Sequence, residues 1–164
     1  MNTTNAFSFR KTSLLVALAA ASALSAGAAQ PAKTAGIAIE QAWTRATPPN
    51  APVAGGFLTI RNDGDRADRL VSVTSPDAAS VEIHRMTMDD GVMRMRKLAD
   101  GLPIDAKSIM TLKPGGYHLM FIGPKRPIVA GGTVTATLRF EKAGTREVRF
   151  DVRALGSSGE KPHH

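Results

Sequence analysis

The chain has 164 residues, 21 basic against 14 acidic, with four histidines and no cysteine. Without a thiol it can form no disulfide, zinc ribbon, iron–sulfur cluster or cysteine-ligated blue-copper centre. Its basic residues are spread along the chain and its aromatics are one Trp, one Tyr and six Phe, poor material for stacking bases, so nucleic acid is not an expected partner.

Residues 1–29 read as a targeting segment. A polar start ends in Arg10 and Lys11, an Ala-rich apolar run covers 12–26, and Ala26-Gly27-Ala28-Ala29 supplies the small residues of a cleavage site. That order is a secretory signal peptide, with cleavage expected after Ala28 or Ala29. The apolar run falls short of the roughly 20 residues a spanning helix needs, so no stable membrane insertion is expected after cleavage. Export to the periplasm follows. The mature chain keeps 19 basic residues against 14 acidic, a balance of +5, which gives a mild attraction to acidic partners.

Residues 30–36 are a linker by composition, and 37–155 form one domain. Its predicted strands cover 37–45, 53–61, 69–75, 80–86, 92–98, 108–112, 117–122, 133–141 and 145–154. Turn residues separate them, among them Asn62-Asp63-Gly64-Asp65, Asp90-Gly91, Pro114-Gly115-Gly116 and Ala143-Gly144. Short strands with such punctuation predict an all-β sandwich or barrel with little or no helix. Val134, Ala136, Leu138 and Phe140 share one strand face, as do Val148, Phe150 and Val152, the period-two mark of half-buried strands. Residues 156–164 form a polar tail, expected to be disordered.

The chemistry concentrates between Val81 and Gly123. This stretch holds every methionine but the initiator (Met86, Met88, Met93, Met95, Met110, Met120) and, with His84 and His118, every histidine outside the tail. Thioether and imidazole without thiol suit Cu(I) better than zinc, calcium or magnesium. Alternation puts Val81 and Ile83 on one face and Glu82, His84 and Met86 on the other. Likewise, Leu119 and Phe121 oppose His118 and Met120. Two His-x-Met pairs therefore point away from the apolar faces. A two-residue loop at Asp89-Asp90 would set Met86 opposite Met93 and His84 opposite Met95. A loop at Asp90-Gly91, the better turn pair, would set Met86 opposite Met95 and Met88 opposite Met93. Either register brings Met93 and Met95 to the face of His84. Arg94 and Arg96 take the reverse face, so the hairpin is expected to project from the core. Met110, between Ile109 and Leu112, reads as packing. His163 and His164 are at most a weak Cu(II) catch.

These residues carry a resemblance. His84, ten intervening residues, Met95, and then His118-x-Met120, set among the surrounding scaffold residues 42–62 and 67–70, resemble the periplasmic copper chaperone family PCu(A)C over nearly all of 37–154. The interval between Met95 and His118 is one residue longer than the family pattern, and the extra residue fits most easily in the loop 100–107. The resemblance implies a cupredoxin-like antiparallel β-sandwich of Greek-key type, with one exposed Cu(I) held by His84, Met95, His118 and Met120. Met86 and Met93 are secondary candidates. It also implies delivery of copper toward the CuA-bearing subunit of cytochrome c oxidase, often alongside a Sco-type thiol protein as acceptor. No catalysis is expected: an electron-transfer cupredoxin needs the absent cysteine, a histidine brace needs an N-terminal His, and no nucleophile accompanies the two histidines. The competing readings are a periplasmic copper buffer or a metal-free β-sandwich assembly module.

Overall fold

Alternation of apolar and polar residues sets the facing of most of the ten strands. They are β1 (Ile37–Arg45), β2 (Val53–Asn62), β3 (Asp68–Thr74), β4 (Ala78–Asp89), β5 (Val92–Lys97), β6 (Leu102–Ile104), β7 (Ser108–Leu112), β8 (Tyr117–Pro124), β9 (Thr133–Phe140) and β10 (Gly144–Arg153). The pattern is broken in β1, which carries a bulge between Glu40 and Trp43, and in β5, which is exposed throughout. The structure is a computed structural model and describes residues 36–156. The expected signal peptide, all of the linker but Gly36, and the tail beyond Gly156 with His163 and His164 lie outside the described residues. Among the described residues no helix is long and apolar enough to cross a membrane.

Strands β4, β8, β2, β1, β10, β9 and β3 pair in that order, and Val73 of β3 pairs with Val81 of β4. The seven close on themselves as a barrel-like sandwich. The remaining three are appended: β5 to β4, β6 to β3 and β7 to β2. The all-β sandwich stands as expected, with one pair, β1 and β10, running parallel. The stretch expected as loop at 100–107 contains β6. Leu102 and Ile104 are fully buried there, and Arg69 of β3 pairs with Pro103.

The core fills the inside of this ring. Val134, Ala136, Leu138 and Phe140 of β9 meet Val148, Phe150 and Val152 of β10. Phe121 and Phe150 pack edge to face, their ring centroids 5.6 Å apart, an arrangement worth about 0.5–1.5 kcal/mol beyond the area it buries. Gly56 makes room for that pair, since a Cβ at this position would lie 2.5 Å from the Phe121 ring. The buried carboxylate of Asp68 accepts the backbone N–H groups of Arg69, Lys142 and Ala143 at 2.7–2.9 Å. It thereby ties the start of β3 to the turn between β9 and β10.

A smaller cluster lies on the outer face. Trp43 and Phe57 are paired across β1 and β2, their ring centroids 4.5 Å apart, and both are buried. Neither belongs to the main core. The guanidinium groups of Arg153 and Arg45 lie 4.6 and 5.7 Å from the Trp43 ring centroid, close enough for cation–π attraction. Gly55, on the same face, pairs directly with Met120.

Candidate metal centre

Strand β4 changes partners midway, and this places the site. On one side it pairs with β8 from Ala78 to Arg85. On the other it touches β3 at Val81 and then pairs with β5 from His84 to Asp89. Beyond Arg85 the chain of β8 turns away, so the last part of β4 and all of β5 overhang the sandwich. Every residue of β5 is exposed, as expected for a projecting hairpin. Asp90 and Gly91 form the two-residue turn, both at positive φ (50° and 76°), the geometry of a type I′ turn. The register is therefore the one an Asp-Gly turn dictates, with Met86 opposite Met95 and Met88 opposite Met93.

The same register aligns the histidines. His84 and His118 are direct cross-strand partners, their ring centroids 5.7 Å apart. Met120 lies two residues beyond His118 on the same face and opposite Glu82. Lys97 is the partner of His84 on the β5 side, and Met95 lies one diagonal step away, opposite Met86. Of the four residues singled out, the structure thus sets His84, His118 and Met120 on adjoining strands of one face. Met95 stands on the same face at the edge strand. Of the secondary candidates, Met86 lies within the patch, while Met93 sits further out beside the turn.

Exposure is uneven across the residues expected to hold one exposed Cu(I). His118 is only 5% exposed, whereas Met95 is 44% exposed. The physical reason is position: His118 lies inside the sheet, flanked by β4 and by the β2 face that carries Phe57. Met95 lies on the edge strand. The imidazoles are sunk and the sulfur side is open.

Hydrogen bonds fix which ring nitrogens are free. Nδ1 of His118 lies 3.1 Å from the carbonyl oxygen of Gly116. A carbonyl only accepts, so in the neutral ring Nδ1 carries the proton and Nε2 keeps its lone pair. Nε2 of His84 lies 2.8 Å from Oε2 of Glu82. The Glu82 carboxyl is held below its ordinary range, first by the hydrogen bond from the Lys97 ammonium, 2.7 Å from its other oxygen, and next by His84. Ionised, it can only accept, so in the neutral ring Nε2 of His84 is the donor and Nδ1 holds the lone pair. That Nδ1 is buried and has no hydrogen-bond partner. A buried polar atom left this way costs free energy unless something else engages it.

Glu82 is the functional residue that the sequence reading placed on the right face without assigning a role. Its signal was a carboxylate two residues before a histidine in a strand, where period two brings both side chains to the same side. A carboxylate on the far nitrogen of a metal-binding imidazole orients the ring and raises its basicity. Among the described residues no three His, Asp or Glu side chains gather as a metal site. A soft ion at this face would have to draw on the thioethers.

Fold and site together define a class: barrel-like β-sandwiches with histidines paired across the sheet and methionines on an overhanging hairpin. The chain matches the LpqE-like lipoprotein family over residues 37–152 and belongs to it, the family of the PCu(A)C domains and their cupredoxin-like fold. It is 32% identical over 138 residues to the lipoprotein Lxx21020 of Leifsonia xyli subsp. xyli, covering 84% of this chain and 82% of the relative. Among solved structures it is similar to the copper-bound PCuAC domain from PmoF2, at 30% identity and a TM-score of 0.63, covering 73% of this chain and 93% of that domain. It is also similar to the solution structure of CuI-DR1885 from Deinococcus radiodurans, at 28% identity and a TM-score of 0.58, covering 82% and 87% of the two chains.

Proposed function

We propose that this protein is a copper-binding metallochaperone that takes Cu(I) through His84, Met95, His118 and Met120 and hands it to an acceptor. The observation that carries the reading is the buried, partnerless Nδ1 of His84, in a ring paired with His118 on a face otherwise furnished with thioethers. Nδ1 of His84 and Nε2 of His118 are the nitrogens with lone pairs to give, and Met120 and Met95 supply soft sulfur. The copper-bound PmoF2 domain and CuI-DR1885 support copper as the cargo.

The chemistry is transfer, not turnover. Thioethers are neutral and bind without proton release, so a partner's ligands can replace them one at a time. Met95, on the edge strand, is the first to be displaced, while the imidazoles keep hold from within the sheet. The open sulfur side is where an acceptor would reach the ion. In this reading the protein works in the periplasm, and its acceptor is the CuA-bearing subunit of cytochrome c oxidase or a Sco-type thiol protein. The kinship with lipoproteins fits an exported chain.

The test is an anaerobic Cu(I) titration with X-ray absorption on the loaded protein, expected to count two nitrogen and two sulfur neighbours. The His84→Ala/His118→Ala double variant should lose tight binding by at least about a hundredfold, given what removing two ligands costs when one orienting partner is worth 10–100-fold. Affinity equal to wild type in that variant would overturn the assignment. Delivery is tested separately, by mixing the Cu(I) form with the soluble CuA domain and following the appearance of its CuA spectrum.

A further inference from the structure

Met88 and Met93 have no packing role. They are 64% and 62% exposed, and each is the other's direct cross-strand partner, one pair in from the Asp89/Val92 pair that borders the turn. A methionine that fills a core is buried. These two stand in water on a hairpin whose reverse face carries Arg85, Thr87, Arg94 and Arg96. Toward the turn the same two strands thus present mainly polar groups on one side and the thioethers Met86, Met88, Met93 and Met95 on the other, with His84 and Lys97 one row further in.

The type I′ turn fixes the register, so this is an ordered array. Directly opposed residues have Cβ atoms about 4.5–5.5 Å apart, and rows two residues apart on a strand are separated by about 7 Å. Methionine has three rotatable side-chain bonds and a polarizable sulfur, so sulfurs from both rows can converge on one ion. The row Met86/Met95 adjoins the row of His84 and Lys97, and the row Met88/Met93 lies one step further out. No acidic side chain occupies this face of β5 to favour a hard cation instead, because the positions are Met93, Met95 and Lys97.

We infer that Met86, Met88 and Met93 form a second, thioether-only site for a soft monovalent cation, Cu(I) or Ag(I), outboard of the His84/His118 centre. The outer site captures the ion on an exposed, projecting part of the molecule. The ion then passes inward by ligand exchange: the bonds to Met88, Met93 and finally Met86 break as bonds to Met95, Met120 and the two neutral imidazoles form, with no change in oxidation state and no proton released. The inference borrows only the identity of the ion from the proposed function. The outer site itself rests on the methionine register and exposure.

The experiment is an Ag(I) titration of the full chain, repeated anaerobically with Cu(I), following the methionine ε-methyl and histidine ring signals by NMR. The first equivalent should move His84, His118 and Met120. The second should move the Met88 and Met93 methyls with at least tenfold weaker affinity. Met88→Leu/Met93→Leu, which keeps shape and exposed placement, should bind one equivalent with the tight affinity unchanged. Met88 and Met93 signals that stay still through two equivalents, or a leucine variant that still binds two, would overturn the outer site. Movement of Met88 and Met93 without any response from the histidine rings would instead refute the four-ligand centre and leave the outer site standing.

Discussion

Replacing Glu82 by alanine tests how the inner site is built. Glu82 is not among the four proposed donors, though it lies directly opposite Met120. Its Oε2 accepts from Nε2 of His84 at 2.8 Å, while its other oxygen holds Lys97 at 2.7 Å. Removing it frees the His84 ring to rotate and to exchange tautomers, so the lone pair is no longer confined to the buried nitrogen. Loss of such an orienting partner weakens metal binding by about 10–100-fold. The lower end applies here. Lys97 already neutralises the carboxylate, so what is lost is orientation more than charge. Glu82→Ala should therefore weaken Cu(I) binding about tenfold, and Glu82→Gln, which keeps an acceptor oxygen, about threefold. Competition against a chromophoric Cu(I) chelator under anaerobic conditions gives the affinities. Long-range 15N–1H correlation gives the tautomer of His84, a signature that general destabilisation would not move. A Glu82→Ala protein that binds Cu(I) within twofold of wild type, with His84 still protonated at Nε2, would refute the reasoning.

Two further expectations concern the scaffold. Asp77 accepts the backbone N–H of Thr135 at 3.0 Å and the Arg126 guanidinium at 2.9 Å, and the Thr135 bond foremost holds its carboxyl below the ordinary value of 3.8. A carboxylate whose folded-state value is depressed stabilises the fold above its unfolded value, and that stability is lost as pH falls through the lower folded value. Urea midpoints measured between about pH 5 and pH 2 should fall less steeply in Asp77→Asn than in wild type; parallel curves would show that the contact contributes nothing. Gly101 and Gly115 share a left-handed backbone, with φ of 78° and 79°, yet differ in surroundings. A Cβ on Gly115 meets nothing within 4 Å, whereas one on Gly101 would lie 2.3 Å from the backbone oxygen of Leu70. Gly115→Ala should cost about 1–2 kcal/mol for conformation alone, and Gly101→Ala about 1–3 kcal/mol more for displacing β3. Equal losses in thermal or chemical unfolding would count against the close approach.

Much of the site was legible because strand periodicity is a local property. Ile83 and Leu119 face the core, and His84 and His118 face away from it, as two-residue alternation requires. The hairpin register was decided by Asp90-Gly91, a pair suited to positive φ at both positions. What escaped depends on partners distant in sequence. Leu102-Pro103-Ile104 is too short to show a period and contains a proline; it becomes a strand only because β3 offers it an edge. The parallel pairing of β1 with β10 joins the two ends of the domain and leaves no mark in either segment. The covering of His118 comes from neighbouring strands, so a pattern read along β8 alone could not reveal it. The full length of β4 was hidden for a related reason: the strand continues past the sandwich only because β5 folds back along it.

The overhang of β4 and β5 has a consequence for how this protein could change over time. None of the six residues of β5 is buried, so substitutions there put little of the molecule's folding at risk. A lineage could exchange sulfurs for imidazoles or carboxylates on that ribbon, altering which ions it admits and how readily it lets them go, while the barrel beneath stays as it is. Selectivity and foldability are inherited on separate stretches of chain, and each can drift without dragging the other along.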